Sequence, residues 1–326
     1  MSDSSNKEKF IAQAQKLVEK GQFDKAIREY LKAVAEDGSD IRTWIRIGDL
    51  YVKLGQKNEA TENYKKVAQL YLAQGETEKA AAVYRQIQAI SPQLGDPYVA
   101  LGGLYRDLGR TSLAVQQYEQ AAELYGRQGK TRDALLSEQA LVDLAPDVVA
   151  RRIRLAEMYS KANLVPDAVR EFSIAAMQLR QAGRQDEFVK VGERLLFHAP
   201  DHVETLKELA RHYLKYGDGV RALTRLQAGF SQRAKDPEIL ELLAEAFIAL
   251  GKADKAVAVL RELARVQIER GASAFHTYQR ILRYAPDDAE ARAALTQAQA
   301  QAQAQPPRQG DSGSGTLRAM IFNSAS

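Results

Sequence analysis

The chain has 326 residues, 45% of them hydrophobic and 27% charged, with 46 basic and 42 acidic side chains, so it is long enough to bury a large core and too mixed in charge to advertise a basic arm or face. It contains no cysteine, which removes disulfides, thiol nucleophiles and Cys-ligated zinc together. No apolar run approaches the roughly 20 residues that span a bilayer, and the opening MSDSSNKEKF lacks the apolar centre of a signal peptide, so membrane insertion is not expected and the chain reads as cytoplasmic.

Residues 1–6 read as a flexible N-terminus. From residue 7 the chain is periodic. A first, weaker copy runs through Phe10, Ala14, Leu17, Gly21, Ala26, Tyr30 and Ala33. The stretches Trp44 to Tyr64, Tyr98 to Tyr118 and Arg152 to Phe172 then align without a gap at a spacing of 54 residues, and a fourth copy spans Leu206 to Leu226. Apolar residues recur within each at three- and four-residue steps, which predicts amphipathic helices. Gly55, Gly109, Asn163 and Gly217 stand where the first helix of each copy stops, and Ala60, Ala114, Ala168 and Ala222 follow five residues later. An alanine there lets two antiparallel helices approach closely, so each copy predicts a helical hairpin. A second turn is expected at Gly75, Gly129, Gly183 and Gly271, and a third at Pro92, Pro146, Pro200 and Pro286, giving three helices in each 54-residue unit. The step shortens to 34 residues between Gly217 and Gly251.

One turn has a chemical look-alike. LYGRQGKT, Leu124 to Thr131, sets glycine, lysine and threonine at a helix start as a phosphate-binding loop does. The loop requires a glycine where Leu124 stands, no strand precedes it, and 54 residues earlier the same register reads LYLAQGET, so a hairpin turn is expected and no nucleotide. His198 and His202 are four apart but straddle Pro200, which favours capping over a metal pair. The densest basic cluster, RRIR at Arg151 to Arg154, offers phosphate contacts but no interleaved aromatics. Beyond Pro286 an alanine- and glutamine-rich helix is expected to cap the array before fraying, and residues 301–326 read as its end followed by a flexible tail with an apolar island, LRAMIF.

Trp44, Ile47, Gly48, Tyr51, Ala60 and Tyr64 resemble the tetratricopeptide repeat, as a bacterial-type tandem array covering about residues 7 to 300. Tyr98, Leu101, Gly102, Tyr105, Ala114 and Tyr118 repeat the pattern, as do Leu240, Leu243, Ala244, Phe247, Gly251 and Ala256. The resemblance implies an all-α fold, a right-handed α-solenoid of helical hairpins. The three-helix unit (34 plus 20) departs from the family's period and leaves an armadillo-like cross-section open. Arg152 in place of an aromatic, and Phe188 in place of alanine, predict less regular packing in the middle copy.

In the family the first helix of each repeat lines a groove that takes a peptide or helix from a protein partner. Carried onto this chain, the fifth position holds Ile11, Ile45, Val99, Ile153 and Lys207, and the ninth holds Asp49, Glu157 and Arg211, among others. These are the candidate partner-binding residues, for an apolar and partly basic segment; ordinary interhelix packing is the competing reading. Ile11, Gln15, Ile45 and Asp49 stand where some relatives place a lysine, asparagine and arginine clamp for a C-terminal carboxylate, so that activity is not expected. The chain is thus read as a non-enzymatic scaffold or adaptor with no cofactor, no metal and a protein partner. RNA binding, or a regulatory subunit of an enzyme, are the alternatives.

Overall fold

A computed structural model describes residues 3–230 and 235–304; the expected LRAMIF tail lies outside the described residues. Among them there are 17 helices and no strand. The chain divides into two compact units, Met1–Gln185 and Asp186–Ser326. The first holds α1 (Asp3–Glu19), α2 (Phe23–Glu36), α3 (Ile41–Lys53), α4 (Lys57–Ala73), α5 (Thr77–Ile90), α6 (Asp96–Asp107), α7 (Thr111–Arg127), α8 (Thr131–Leu144), α9 (Val149–Lys161) and α10 (Val165–Gln181). The second holds α11 (Gln185–His198), α12 (Val203–Lys215), α13 (Gly219–Phe230), α14 (Pro237–Ala249), α15 (Ala253–Glu269), α16 (Phe275–Tyr284) and α17 (Ala289–Ala304). Helix α1 reaches back into the stretch read from sequence as a flexible N-terminus.

The helices stop where the turn chemistry says they must. At the end of α7 the Gly129 amide donates to Gly126 and the Lys130 amide to Tyr125, at 3.2 and 3.0 Å, with Gly129 at a φ of 68°. These two bonds are those of a left-handed C-terminal cap. The glycine loop of LYGRQGKT is therefore a three-residue link between α7 and α8, and its amides at Gly129 and Lys130 are already bonded to the helix they terminate. Asn163 closes α9 in the same way at a φ of 58°, a conformation asparagine tolerates better than other side chains.

Packing follows from the small residues. Ala60, Ala114, Ala168, Ala222 and Ala256 are all wholly buried. Opposite them, glycines on the first helix of a hairpin receive tyrosine rings: a Cβ on Gly48 would lie 2.9 Å from the Tyr64 ring, and one on Gly102 would lie 3.1 Å from the Tyr118 ring. In the first unit one core cluster gathers Ala14, Ala26, Tyr30, Ile47 and Leu50, and a second gathers Tyr64, Ile87, Leu101, Tyr105 and Leu141. In the second unit Leu240, Leu260, Leu263, Tyr278 and Ile281 form a core of their own. Each large side chain so buried contributes about 1.5–3 kcal/mol. Phe188, which stands where the two preceding units have Ala80 and Ala134, is itself buried on α11.

Candidate functional site

The candidate groove residues fall on the first helices of the hairpins. On α1, Ile11 is half-buried against the first core cluster; on α3 and α6, Ile45 and Val99 are half-buried against the second. Ile153 on α9 is half-buried as well. The structure thus brings Ile45 and Val99 to the margin of one core, each with part of its surface still in solvent. That placement serves packing and leaves an apolar remainder outside.

The charged candidates are more committed. Asp49 is exposed, but its Oδ1 accepts a hydrogen bond from the Tyr64 hydroxyl at 2.5 Å. Glu157 is half-buried with interactions of its own. Lys207, expected at the fifth position in the row of Ile11, Ile45, Val99 and Ile153, is 6% exposed, and its Nζ lies 2.9 Å from Asp236 and 2.8 Å from Glu238. Arg211 is exposed and joins Lys207 on Glu238, while also pairing with Glu208 at 2.8 Å. These two bases therefore neutralise acids at the start of α14 within the second unit.

The basic cluster RRIR has acidic partners that lie far from it in sequence. Arg151 pairs with Glu119 on α7 at 2.7 Å, Arg152 with Glu171 on α10 at 2.6 Å, and Arg154 with Glu138 on α8 at 2.8 Å. Each arginine of the cluster is met by an acid from a different helix, which removes the free positive field a phosphate backbone requires. The available signal was Glu171 itself, an acid where the two preceding copies have Asn63 and Gln117, appearing together with Arg152 in place of Trp44 and Tyr98.

Between α7, α8 and α9 lies a cleft of about 680 Å³ whose lining includes Glu119, Glu138, Val148, Arg151 and Arg154. The Glu138 side chain is 2% exposed. Burial pushes its carboxyl above the ordinary glutamate value, and Arg154 and Arg151 oppose that shift. An acid with a raised folded value contributes stability below its unfolded value of 4.5 and loses that contribution as pH rises through the folded one. Urea unfolding should therefore show the wild type losing stability relative to Glu138→Gln as pH increases from 4.5. A flat or opposite difference would refute this account.

His202 caps α12: its Nδ1 accepts from the Thr205 amide at 3.4 Å. Among the described residues no cluster of three or more His, Asp or Glu side chains is placed to hold a metal ion, and no helix is long and apolar enough to cross a membrane.

The hairpins, their capped turns and the small-residue contacts agree with comparison to known proteins. The pattern described as "Tetratricopeptide repeat" matches residues 41–71 and 96–128, 65–98, and 207–274. The chain carries tetratricopeptide repeats in these segments. Residues 65–71, in α4, fall in two of these matches, so one helix takes part in two repeat frames. No curated protein is matched by the chain. Among solved structures it is similar to the tetratricopeptide repeat domain of P58(IPK), at 15% identity over 92% of this chain and 99% of that one, with a TM-score of 0.23. It is also similar to the TPR2AB domain of yeast Sti1 in complex with pHSP90, at 16% identity over 91% and 99%, with a TM-score of 0.30. MamA is similar at 19% identity over 56% and 96%, with a TM-score of 0.21.

Proposed function

We propose that this protein is a non-enzymatic interaction scaffold that holds a peptide or helix of a protein partner on the first helices of its repeats. Tetratricopeptide repeats support a role in protein–protein interaction, and this chain consists of helical hairpins with the repeat's side-chain pattern. The observation that carries the finer reading is the row of half-buried apolar side chains at one repeat position, Ile45 on α3, Val99 on α6 and Ile153 on α9. Covering their exposed remainder would supply the few apolar contacts from which such interfaces draw most of their affinity. The acid edge is weaker support for a basic segment, since Asp49 already serves Tyr64.

The test is capture of partners from native extract, with and without nuclease, by the wild type and by an Ile45→Asp, Val99→Asp, Ile153→Asp variant shown to unfold cooperatively. A control variant carries aspartate at Leu31 and Leu113, which are exposed apolar residues outside that row. The expected result is a nuclease-resistant partner lost from the row variant and retained by the control. Equal capture by all three proteins would mean that the row is packing.

A further inference from the structure

Two successive hairpins differ at one point in a way that exposes a hydrogen-bond donor. In α3 the ninth repeat position is Asp49, which accepts from the Tyr64 hydroxyl of α4 at 2.5 Å. In the next copy the tyrosine remains, as Tyr118 of α7, but the ninth position of α6 is Gly103. Tyr118 is 5% exposed, and its hydroxyl oxygen lies 3.7 Å from where a Cβ on Gly103 would stand. No described residue accepts its hydrogen bond, whereas Tyr64, Tyr125 and Tyr213 donate to Asp49, Asp96 and Glu193. A hydroxyl at the rim of a packed ring, with the neighbouring copy's acceptor deleted, is a donor left for something outside the fold.

The surroundings select the acceptor. Val99 lies one turn before Gly103 on the same face of α6, and Arg106 and Asp107 lie one turn after it. Arg106 pairs with its neighbour Asp107 at 3.0 Å, with both side chains more than half exposed, so the pair is worth little and its guanidinium is free to reorient. Asp143 also acts on Arg106, but at the Tyr118 hydroxyl the charge of Arg106 outweighs that of Asp107. A donor beside a cation calls for an anion with an accepting oxygen.

We propose that the space over Gly103 receives an aspartate or glutamate side chain of a partner segment. Its carboxylate accepts from the Tyr118 hydroxyl and pairs with Arg106, and an adjacent apolar residue of the segment lies on Val99. This rests on the groove reading above and names the chemistry of what the groove takes at its second full copy.

A displayed library of random short peptides, selected on the full chain, tests it. The expected result is peptides sharing an acidic residue beside an apolar one, whose affinity falls about tenfold or more in Tyr118→Phe, the loss expected for a hydrogen bond to a charged acceptor. Gly103→Asp should abolish selection by supplying the acid from within, as Asp49 does. Changing the peptide's acid to its amide should weaken binding to the wild type and have little further effect on Tyr118→Phe, which a merely structural role of Tyr118 would not produce. Because the Tyr118 hydroxyl has no partner in the fold, Tyr118→Phe should leave the unfolding midpoint unchanged. Peptides that carry no acid, or that bind Tyr118→Phe and Gly103→Asp as well as the wild type, overturn the proposal. If those peptides are still lost from the Ile45, Val99, Ile153 variant, the groove reading stands without it; if they are retained there too, both fall.

Discussion

Glu171→Ala is expected to destabilise the first unit by about 3 kcal/mol or more, as removal of one partner from a buried ion pair does. The side chains of Arg152 and Glu171 are 11% and 4% exposed, and Arg152 Nη1 meets Glu171 Oε2 at 2.6 Å. Arg170 adds a contact to the other carboxylate oxygen at 3.1 Å. Arg152 Nε is buried without a partner, so deleting the acid would leave a guanidinium with nothing to offset its desolvation. The preceding copy solves the same position without charge, with Tyr98 and Gln117. Installing that pair, Arg152→Tyr with Glu171→Gln, should therefore return stability to within about 1 kcal/mol of the wild type or raise it, since well-packed uncharged replacements of buried pairs are often neutral or better. Urea unfolding of the three proteins checks this. A single variant close to wild type, or a double variant no better than the single, would show that the pair does not hold α9 to α10.

Gly95→Ala should cost about 2–3 kcal/mol, the upper range for forcing atoms into a packed site. A Cβ there would lie 2.5 Å from Cζ of the Tyr125 ring and 2.6 Å from Cε1. The ring has little room to withdraw, because Tyr125 is 4% exposed and its hydroxyl donates to Asp96, the residue next to Gly95. Gly103→Ala, inside the helix that Gly95 precedes, makes the opposite prediction. Its nearest neighbour would be the Tyr118 hydroxyl at 3.7 Å, an ordinary contact, and replacing glycine in a helix interior gains about 0.5–1 kcal/mol. Thermal or urea unfolding separates the two, and shifts of the same sign would contradict the packing described.

Much of this arrangement is local, which is why the sequence alone determined it. Apolar spacing gave the helices, because helical periodicity is a property of neighbours in the chain. Turn chemistry gave their ends, to the point that Asn163 could be read as a substitute glycine and LYGRQGKT as a turn. The buried alanines from Ala60 to Ala256 followed from the same register. The side-chain pattern likewise carried the family, since it records which faces must meet. What only the tertiary structure decided is the fate of the charges and donors on those faces. Arg151, Arg152 and Arg154 found acids on three different helices, Lys207 turned into α14, and Asp49 was taken by Tyr64 while Tyr118 was left facing Gly103. Periodicity fixes the phase of a residue on its helix but not the identity of the group across from it. Electrostatic and hydrogen-bond partners are chosen over distances of a few ångströms between segments far apart in sequence, and there the packing of helix on helix has the final word.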